Sequence, residues 1–267
     1  ALEVTKVLTP DMEGDSIGGR VNLITKRAPA SRHIALTLAS GFNTLVKDDI
    51  KNYTGTYGER FFDGKLGFIG SFNFYQNNRG SQDLEPAYSS TSALNSLDLR
   101  DYTLTRTRMG GTWDFDYKLK PGSEVFLRGL RTDYEDSELR HRLRDLVSNG
   151  RLERLLRQRY HDSNQTALAT GGTHTLPASW SLTWRGSFSK AELETPYRLE
   201  STFRQTGVTF APNVTSTSID PNNIQANPAN QNLNAFNFIQ FAIQNDHGYE
   251  RNLAGGFDVA APSRFGA

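Results

Sequence analysis

The sequence predicts an all-β chain that forms part of a large antiparallel transmembrane β-barrel. Apolar and polar residues alternate over most of the chain beyond residue 32, which is the pattern of strands with one apolar and one polar face. Short turns alternate with long polar segments, as they do in outer-membrane barrels. Aromatic residues stand beside the short turns, where such barrels carry an interfacial girdle. The runs number about eight, against the roughly 22 strands of barrels with a plugged lumen.

Two runs predict strands most clearly. In residues 65–77, Phe72 and Phe74 share an apolar face, and the run exceeds the roughly 9–11 tilted residues that cross a bilayer. In residues 180–189, tryptophan, leucine and phenylalanine alternate with serine, threonine and arginine. The predicted strands occupy residues 33–43, 52–61, 65–77, 106–119, 124–135, a weakly patterned stretch before Pro177, 180–189, and a last run that begins near Asn252.

The connections predict which architecture these strands build. Residues that favour tight turns stand at Asp63-Gly64, Pro121-Gly122, Pro177-Ala178-Ser179 and Pro262. Long polar segments, which we expect to be loops, lie between them at residues 78–96, about 137–157 and 195–248. A soluble β-sandwich with the aromatics in its core is the alternative, although it more often has short turns at both ends.

Composition limits the possible classes of protein. The 267 residues carry a net charge of +1, so no global electric field favours nucleic acid as a partner. Cysteine is absent, which excludes disulfides and cysteine-ligated metal, and no apolar run approaches the roughly 20 residues of a transmembrane helix. Mean hydropathy is −0.57, which a transmembrane barrel tolerates because its apolar face occupies only alternate positions. Ala1 already lies in a strand-like segment, so we expect an internal fragment of a longer precursor.

The first 26 residues differ from the rest of the chain. Two short alternating runs, residues 2–8 and 20–25, flank a segment rich in glycine and other turn formers. The pattern predicts a strand, a glycine-rich crossing and a second strand. Taken alone, it also suits a strand-loop-strand corner of any α/β protein.

In their order, however, Glu3-Val4, Thr9-Pro10-Asp11 and the run from Ile17 to Lys26 closely resemble the end of the plug domain of TonB-dependent outer-membrane receptors. The resemblance implies the end of an α+β plug at residues 1–28, a linker at 29–32, and the N-terminal part of the barrel at 33–267. The residues that carry the plug motif are Pro10, Asp11, Gly14, Gly18, Gly19 and Asn22.

This resemblance implies a receptor in the bacterial outer membrane that takes up a specific nutrient. Its partners would be the TonB energy-coupling complex, reached through a segment upstream of Ala1, outer-membrane lipid and lipopolysaccharide, and a small nutrient ligand. Residues 8–15 resemble most the branch common in Xanthomonas- and Caulobacter-type bacteria, several of whose members import oligosaccharides. We therefore expect an oligosaccharide. A ferric-siderophore receptor and a passive porin-like barrel are the alternatives.

The sequence shows no catalytic constellation, and its five histidines have no metal-ligand spacing, so we expect neither an enzyme nor a cofactor. Charged residues instead alternate with the aromatics, and an arginine facing lipid would cost roughly 2–4 kcal/mol near the midplane. We therefore predict that they face the lumen, where they contact the plug, which we favour, or line the substrate path. These candidates are Arg60, Arg106, Arg108, Asp114, Asp116, Arg128 and Arg185. Asp114 and Asp116 could act as paired acid and base, but neutralisation by nearby arginines is the favoured interpretation.

Residues 138–159 allow two structures. Their leucines could be read at helical spacing, but Asn149-Gly150 at the centre is a strong hairpin turn, and we favour strands that project beyond the membrane. Seven arginines in this segment would suit an outer-leaflet phosphate or an anionic ligand, although a solvated face is the favoured interpretation. In residues 195–248, amides and phenylalanines would suit a sugar and equally an ordinary loop.

Overall fold

The computed structural model describes residues 2–6, 19–23, 25–89, 93–211 and 226–262. These residues form two antiparallel sheets, one of two strands and one of eight. Among them, no helical segment is long and apolar enough to cross a membrane. The prediction of an all-β chain with eight strands beyond residue 32 is therefore confirmed.

The eight-stranded sheet is a meander in which each strand pairs with its neighbours in the sequence. The small sheet pairs β1 with β2, and the large one runs from β3 at one edge to β10 at the other. The strands are β1 (Leu2–Thr5), β2 (Arg20–Leu23), β3 (His33–Asn43), β4 (Asp48–Phe61), β5 (Leu66–Tyr88), β6 (Leu94–Lys120), β7 (Ser123–Leu146), β8 (Arg151–Thr175), β9 (Ser181–Thr206) and β10 (Asn237–Ala260).

The short turns lie where the sequence predicts them. Asp63 and Gly64 have φ of 56° and 79° in the β4–β5 turn, and Gly122 has φ of 75° between β6 and β7. Between β8 and β9, Ala178 and Ser179 take φ of 58° and 61° after Pro177. Glycine and aspartate tolerate this left-handed backbone, which explains why the sequence signals these turns clearly.

The first and last long polar segments, residues 78–96 and 195–248, are strand at both of their ends, so the prediction that they are loops is wrong for those parts. β5 continues to Tyr88 and β6 already begins at Leu94. In the same way β9 continues to Thr206, and β10 begins at Asn237 rather than near Asn252. Strands that are polar on both faces give no hydrophobic period. Here, ladder hydrogen bonds and cross-strand ion pairs hold the strands together instead.

Residues 138–159 form a hairpin, and the helical alternative is wrong. β7 runs to Leu146, a single 3-10 turn covers Val147–Asn149, and β8 starts at Arg151. Gly150 closes the turn with φ of 61°, in the left-handed region that favours glycine.

Buried apolar residues are concentrated at the tips of the long hairpins. Leu94, Leu97 and Ala226 form a small cluster, against which Val147 and Phe210 pack. The segment after β9 is attached to the β7–β8 tip, because the Val208 N–H donates to the Gly150 carbonyl at 2.9 Å. The described part of residues 207–236 therefore covers one end of the sheet.

The two faces of the large sheet differ in character. One face, called the outer face here, carries apolar side chains that are widely exposed, such as Leu36 at 70%, Phe72 at 49% and Leu253 at 81%. Their rings and chains meet across the strands, with the Phe68 and Phe115 centroids 4.7 Å apart. The opposite face, called the inner face, carries most of the charged residues of β6 and β7. The charged residues on the outer face of these two strands include Arg131, Asp133, Glu135 and Asp145.

Candidate functional site

All seven charged candidates lie on the inner face. The register places Arg60 opposite Gly67, Gly67 opposite Asp116, and the same row continues through Phe126 and Gly171 to Arg185. Because side chains alternate between the faces of a strand, the remaining candidates on β6 and β7 share that face. The structure therefore agrees with the predicted parity.

Arg60 and Asp116 form a two-pronged ion pair near the short turns. The Arg60 Nη1 atom lies 2.9 Å from Asp116 Oδ2, and Nη2 lies 3.2 Å from Oδ1. Arg60 Nη2 also donates to the Ala28 carbonyl at 3.3 Å. Gly67 lies between them, and a Cβ there would stand 2.4 Å from Asp116 Oδ1 and 2.6 Å from the Ala28 Cβ. The pair and the chain before β3 can approach each other only because this position has no side chain.

Asp114 lies two residues before Asp116 on β6, farther from the short turns, and it too is paired with an arginine. Arg128 Nε donates to Asp114 Oδ2 at 2.5 Å, and its guanidinium lies 4.1 Å from the centre of the Phe126 ring. The Thr25 hydroxyl reaches the same carboxylate oxygen at 3.4 Å. Each of the two aspartates thus has its own arginine, which confirms the predicted neutralisation. Nothing in this arrangement pairs the two carboxylates as acid and base.

Residues 25–29 lie against the inner face at this point. Ala28 is 7% exposed, and a Cβ at Gly58 would come within 2.7 Å of the Pro29 ring. Arg27 pairs with Glu124 on β7 at 3.1 Å. A cavity of about 320 Å³ separates part of this segment from the sheet; its lining is Thr25, Lys26, Thr56, Ile69, Ser71, Thr112, Trp113 and Asp114. Two of the seven candidates, Arg60 and Asp114, therefore touch the segment that precedes the large sheet.

The other candidates lie elsewhere on the inner face. Arg106 Nε is 2.5 Å from Asp136 Oδ2, and Arg108 lies 5.3 Å from the centre of the Tyr134 ring. Arg185 pairs with Asp258 at 2.7 Å near the short-turn end of β9. None of these three contacts residues 25–29.

Sequence analysis missed the carboxylates that partner the basic segment. The arginines that it assigned to a solvated face are instead largely buried on the inner face, with Arg140 and Arg142 only 10% and 14% exposed. That expectation is wrong for the inner-face arginines. Their acidic partners are Asp98, Asp136, Glu138, Glu153 and Glu200. The available signal was a charge alternation with period 2, because residues 136, 138, 140, 142 and 144 are all charged.

Burial affects the pKa values of two carboxyl groups in the long hairpins, far from the short turns. Burial alone would raise the pKa of Asp98, but hydrogen bonds from Arg144 and Arg100 outweigh it and hold that pKa below its ordinary value. On the outer face of the same hairpin, Asp145 is 4% exposed, and burial followed by the charge of Asp98 raises its pKa to about 6. One carboxylate is thus stabilised in its charged form and its neighbour in its neutral form.

Of the plug-motif residues, Pro10, Asp11, Gly14 and Gly18 lie outside the described residues. Gly19 has φ of 116°, and a Cβ there would stand 2.7 Å from the Thr5 carbonyl oxygen, so both conformation and space require glycine. Asn22 is opposite Glu3 in the β1–β2 register. The two predicted short strands are present as β1 and β2, and they pair with each other in antiparallel register.

In the part of the chain that the structure describes, no group of histidine, cysteine and acidic residues has the arrangement of a metal site. Comparison with protein-family models, with curated proteins and with solved structures found no match.

Proposed function

We propose that this chain belongs to an outer-membrane receptor that takes up a specific nutrient, an oligosaccharide, into the periplasm with energy supplied through TonB. The observation that carries the proposal is the division of the large sheet into an exposed apolar face and an ionic face on which residues 25–29 are seated. A soluble sheet would bury its apolar face against another layer. In a membrane barrel, lipid covers that face.

The height of the apolar face supports a membrane span. On β6 the outer-face residues from Met109 to Leu119 are apolar or glycine, whereas on the paired β7 the outer face already carries the Arg131–Asp133 ion pair opposite Gly111 and Met109. The apolar height is therefore that of β6, where ten steps of about 3.3 Å along a strand tilted by roughly 40° span about 25 Å. This matches the apolar band of about 25 Å in outer-membrane barrels.

The connections support the orientation. Short turns join the strands at the end where Arg60 and Asp116 lie, and hairpins extend far beyond the apolar band at the other end. Outer-membrane barrels have their short turns in the periplasm and their long connections outside the cell. Among the described strands, β3 and β10 pair on one side only, so the proposal includes further strands that close the barrel.

Energy coupling and cargo rest on the resemblance of residues 1–26 to a plug end and of residues 8–15 to receptors of oligosaccharides. The seat of residues 25–29 on the inner face agrees with a plug that lies inside the barrel, and plug contact remains the favoured role of Arg60, Asp114, Asp116 and Arg128.

The test is uptake by the full-length protein in a host that lacks its own transporter. Cells are supplied with labelled oligosaccharides or starved of iron, with TonB present or inactivated. We expect TonB-dependent accumulation of an oligosaccharide, and loss of coupling when residues 1–26 are deleted. Equal uptake without TonB would indicate a passive barrel, and a phenotype confined to iron starvation would replace the oligosaccharide by a ferric siderophore.

A further inference from the structure

Four arginines crowd around one carboxylate where β6 and β7 extend beyond the apolar band. Arg142 stands directly opposite Arg100 across the β6–β7 ladder and two residues from Arg140 and Arg144 on its own strand. Asp98 lies 2.9 Å from Arg100 and 2.6 Å from Arg144, but 3.5 Å from Arg142. Of the three arginines that pair with Asp98, Arg142 therefore has the longest contact, and the fourth arginine, Arg140, pairs with Glu200 instead at 3.7 Å.

The other nearby acids do not neutralise Arg142. Glu200 lies 2.7 Å from Arg157 and 3.7 Å from Arg140. Asp83 and Glu85 pair with Arg100. Asp145 is on the opposite face of the sheet, as the side-chain alternation requires. Within this cluster of described residues, Arg140 and Arg142 therefore have no carboxylate closer than 3.5 Å.

Several N–H groups of this cluster are buried without a hydrogen-bond partner among the described residues. They are Arg100 Nε, Arg142 Nε, and Arg140 Nε and Nη2. Such groups are rare in native proteins and each costs stability, as do like charges directly opposite each other in a sheet. Burial and the adjacent Arg144 also lower the pKa of Arg142, which reflects the same surplus of positive charge. An arrangement that costs stability in the free protein suggests a ligand that compensates it.

We propose that Arg142, with Arg100 and Arg140, binds an oxyanion carried by the imported ligand: a carboxylate, sulfate or phosphate. Guanidinium groups present fork-like donors that match the two oxygens of such groups. The Tyr102 ring, 5.7 Å from the Arg140 guanidinium, adds an apolar surface beside the charge. The inference rests on the proposed function in one respect, that the ligand passes along the inner face, and it narrows the cargo to an acidic oligosaccharide.

The ion pairs around Asp98 determine which substitution tests the proposal. Removing Arg142 leaves Asp98 with Arg100 and Arg144, so no carboxylate becomes unpaired, and a like-charge contact disappears. Arg142→Gln should therefore unfold at the same temperature as the wild type or at a higher one, while it loses the ligand. Arg151→Gln is the matched control, because Arg151 lies in the same hairpin, opposite Leu146 in the register.

The experiment measures calorimetric binding to the purified full-length protein. The probes are a trisaccharide of uronic acid, its carboxyl-reduced neutral counterpart, and inorganic phosphate alone. We expect the acidic trisaccharide to bind roughly 10- to 100-fold more tightly than the neutral one, the range expected for a charge-assisted hydrogen bond. Arg142→Gln should abolish that preference without lowering the unfolding temperature, and Arg151→Gln should keep it.

Equal affinity for the acidic and neutral sugars, or an unchanged preference in Arg142→Gln, would overturn the inference. Phosphate binding that depends on Arg142, without sugar binding, would support the oxyanion site and identify a free anion as its source. If a neutral oligosaccharide is bound and imported through TonB without dependence on Arg142, the inference fails while the proposed function stands.

Discussion

Replacing Asp145 by asparagine should stabilise the β7–β8 hairpin at neutral pH. Asp145 is 4% exposed, one of its carboxylate oxygens has no hydrogen-bond partner among the described residues, and its pKa is raised from 3.8 to about 6 by burial and by Asp98. Well below pH 3.8 the carboxyl is neutral whether the hairpin is closed or open. As the pH rises toward 6, the open state ionises first, so closing becomes less favourable.

The size of the expected stabilisation follows from the shift in the pKa of Asp145. About two pKa units at 1.36 kcal/mol each give a penalty of about 3 kcal/mol that is complete above pH 6 to 7. Asparagine has nearly the same shape and no charge at any pH, so Asp145→Asn should remove the penalty. At pH 7.5 the local opening should become about 100-fold rarer, and at pH 4, where the carboxyl of the open state is only about half ionised, the two proteins should differ by no more than about 2- to 3-fold.

Hydrogen exchange of the hairpin amides, read by mass spectrometry on the full protein, measures this opening. Variant and wild type are compared at the same pH, so the intrinsic pH dependence of exchange cancels. Asp101→Asn, at an exposed position on β6, is the control and should show no difference at either pH. An effect of Asp145→Asn that is absent at pH 7.5, or equally large at pH 4, would refute the reasoning.

Three further substitutions test the ion pairs and the close contacts. Asp98→Asn leaves three buried arginines without their shared carboxylate and should destabilise the hairpins by about 3–5 kcal/mol; unchanged amide exchange would contradict this. Gly67→Ala should displace Ala28 and speed exchange in residues 25–29, whereas Gly55→Ala, whose Cβ meets nothing within 4 Å, should leave them protected. Equal amide exchange of residues 25–29 in the two variants would show that close packing against Gly67 does not fix this segment. Gly150→Ala, at φ of 61°, should cost about 1–2 kcal/mol in thermal unfolding, and an unchanged midpoint would argue against the left-handed turn.

The sequence predicts two kinds of feature well. One is a turn whose backbone conformation requires a particular residue type, and the other is a strand that has one apolar face. The turns at Gly64 and Gly122 follow from positive φ, and the strands around Phe72 follow from apolar alternation. The parity of Arg60 and Asp116 follows from the same alternation. These features need no knowledge of distant contacts.

What the sequence does not predict depends on partners far along the chain. β5 beyond Asn77 is mostly polar on both faces, so only pairing with a neighbouring strand makes it a strand. β10 before Asn252 carries apolar residues such as Phe241 and Ile243, but two register shifts interrupt their alternation. Two of the three partners of Asp98, Arg142 and Arg144, come from a strand more than forty residues away. Burial of the arginines could not be inferred either, because a charged residue in a strand is exposed unless a counter-charge is placed beside it by the register.

The two glycines that receive residues 28 and 29 have a mechanical consequence. Gly58 and Gly67 have no side chains and therefore leave a recess in the inner face of the sheet. Ala28 and Pro29 fill this recess, and the Arg60 guanidinium donates a hydrogen bond to the Ala28 carbonyl. The chain is thereby anchored at a fixed point before the first long strand. A force that pulls on the chain from its N-terminal side therefore meets the contacts of residues 25–29 with β4, β5 and β6 before it reaches β3, so these three strands bear the load first.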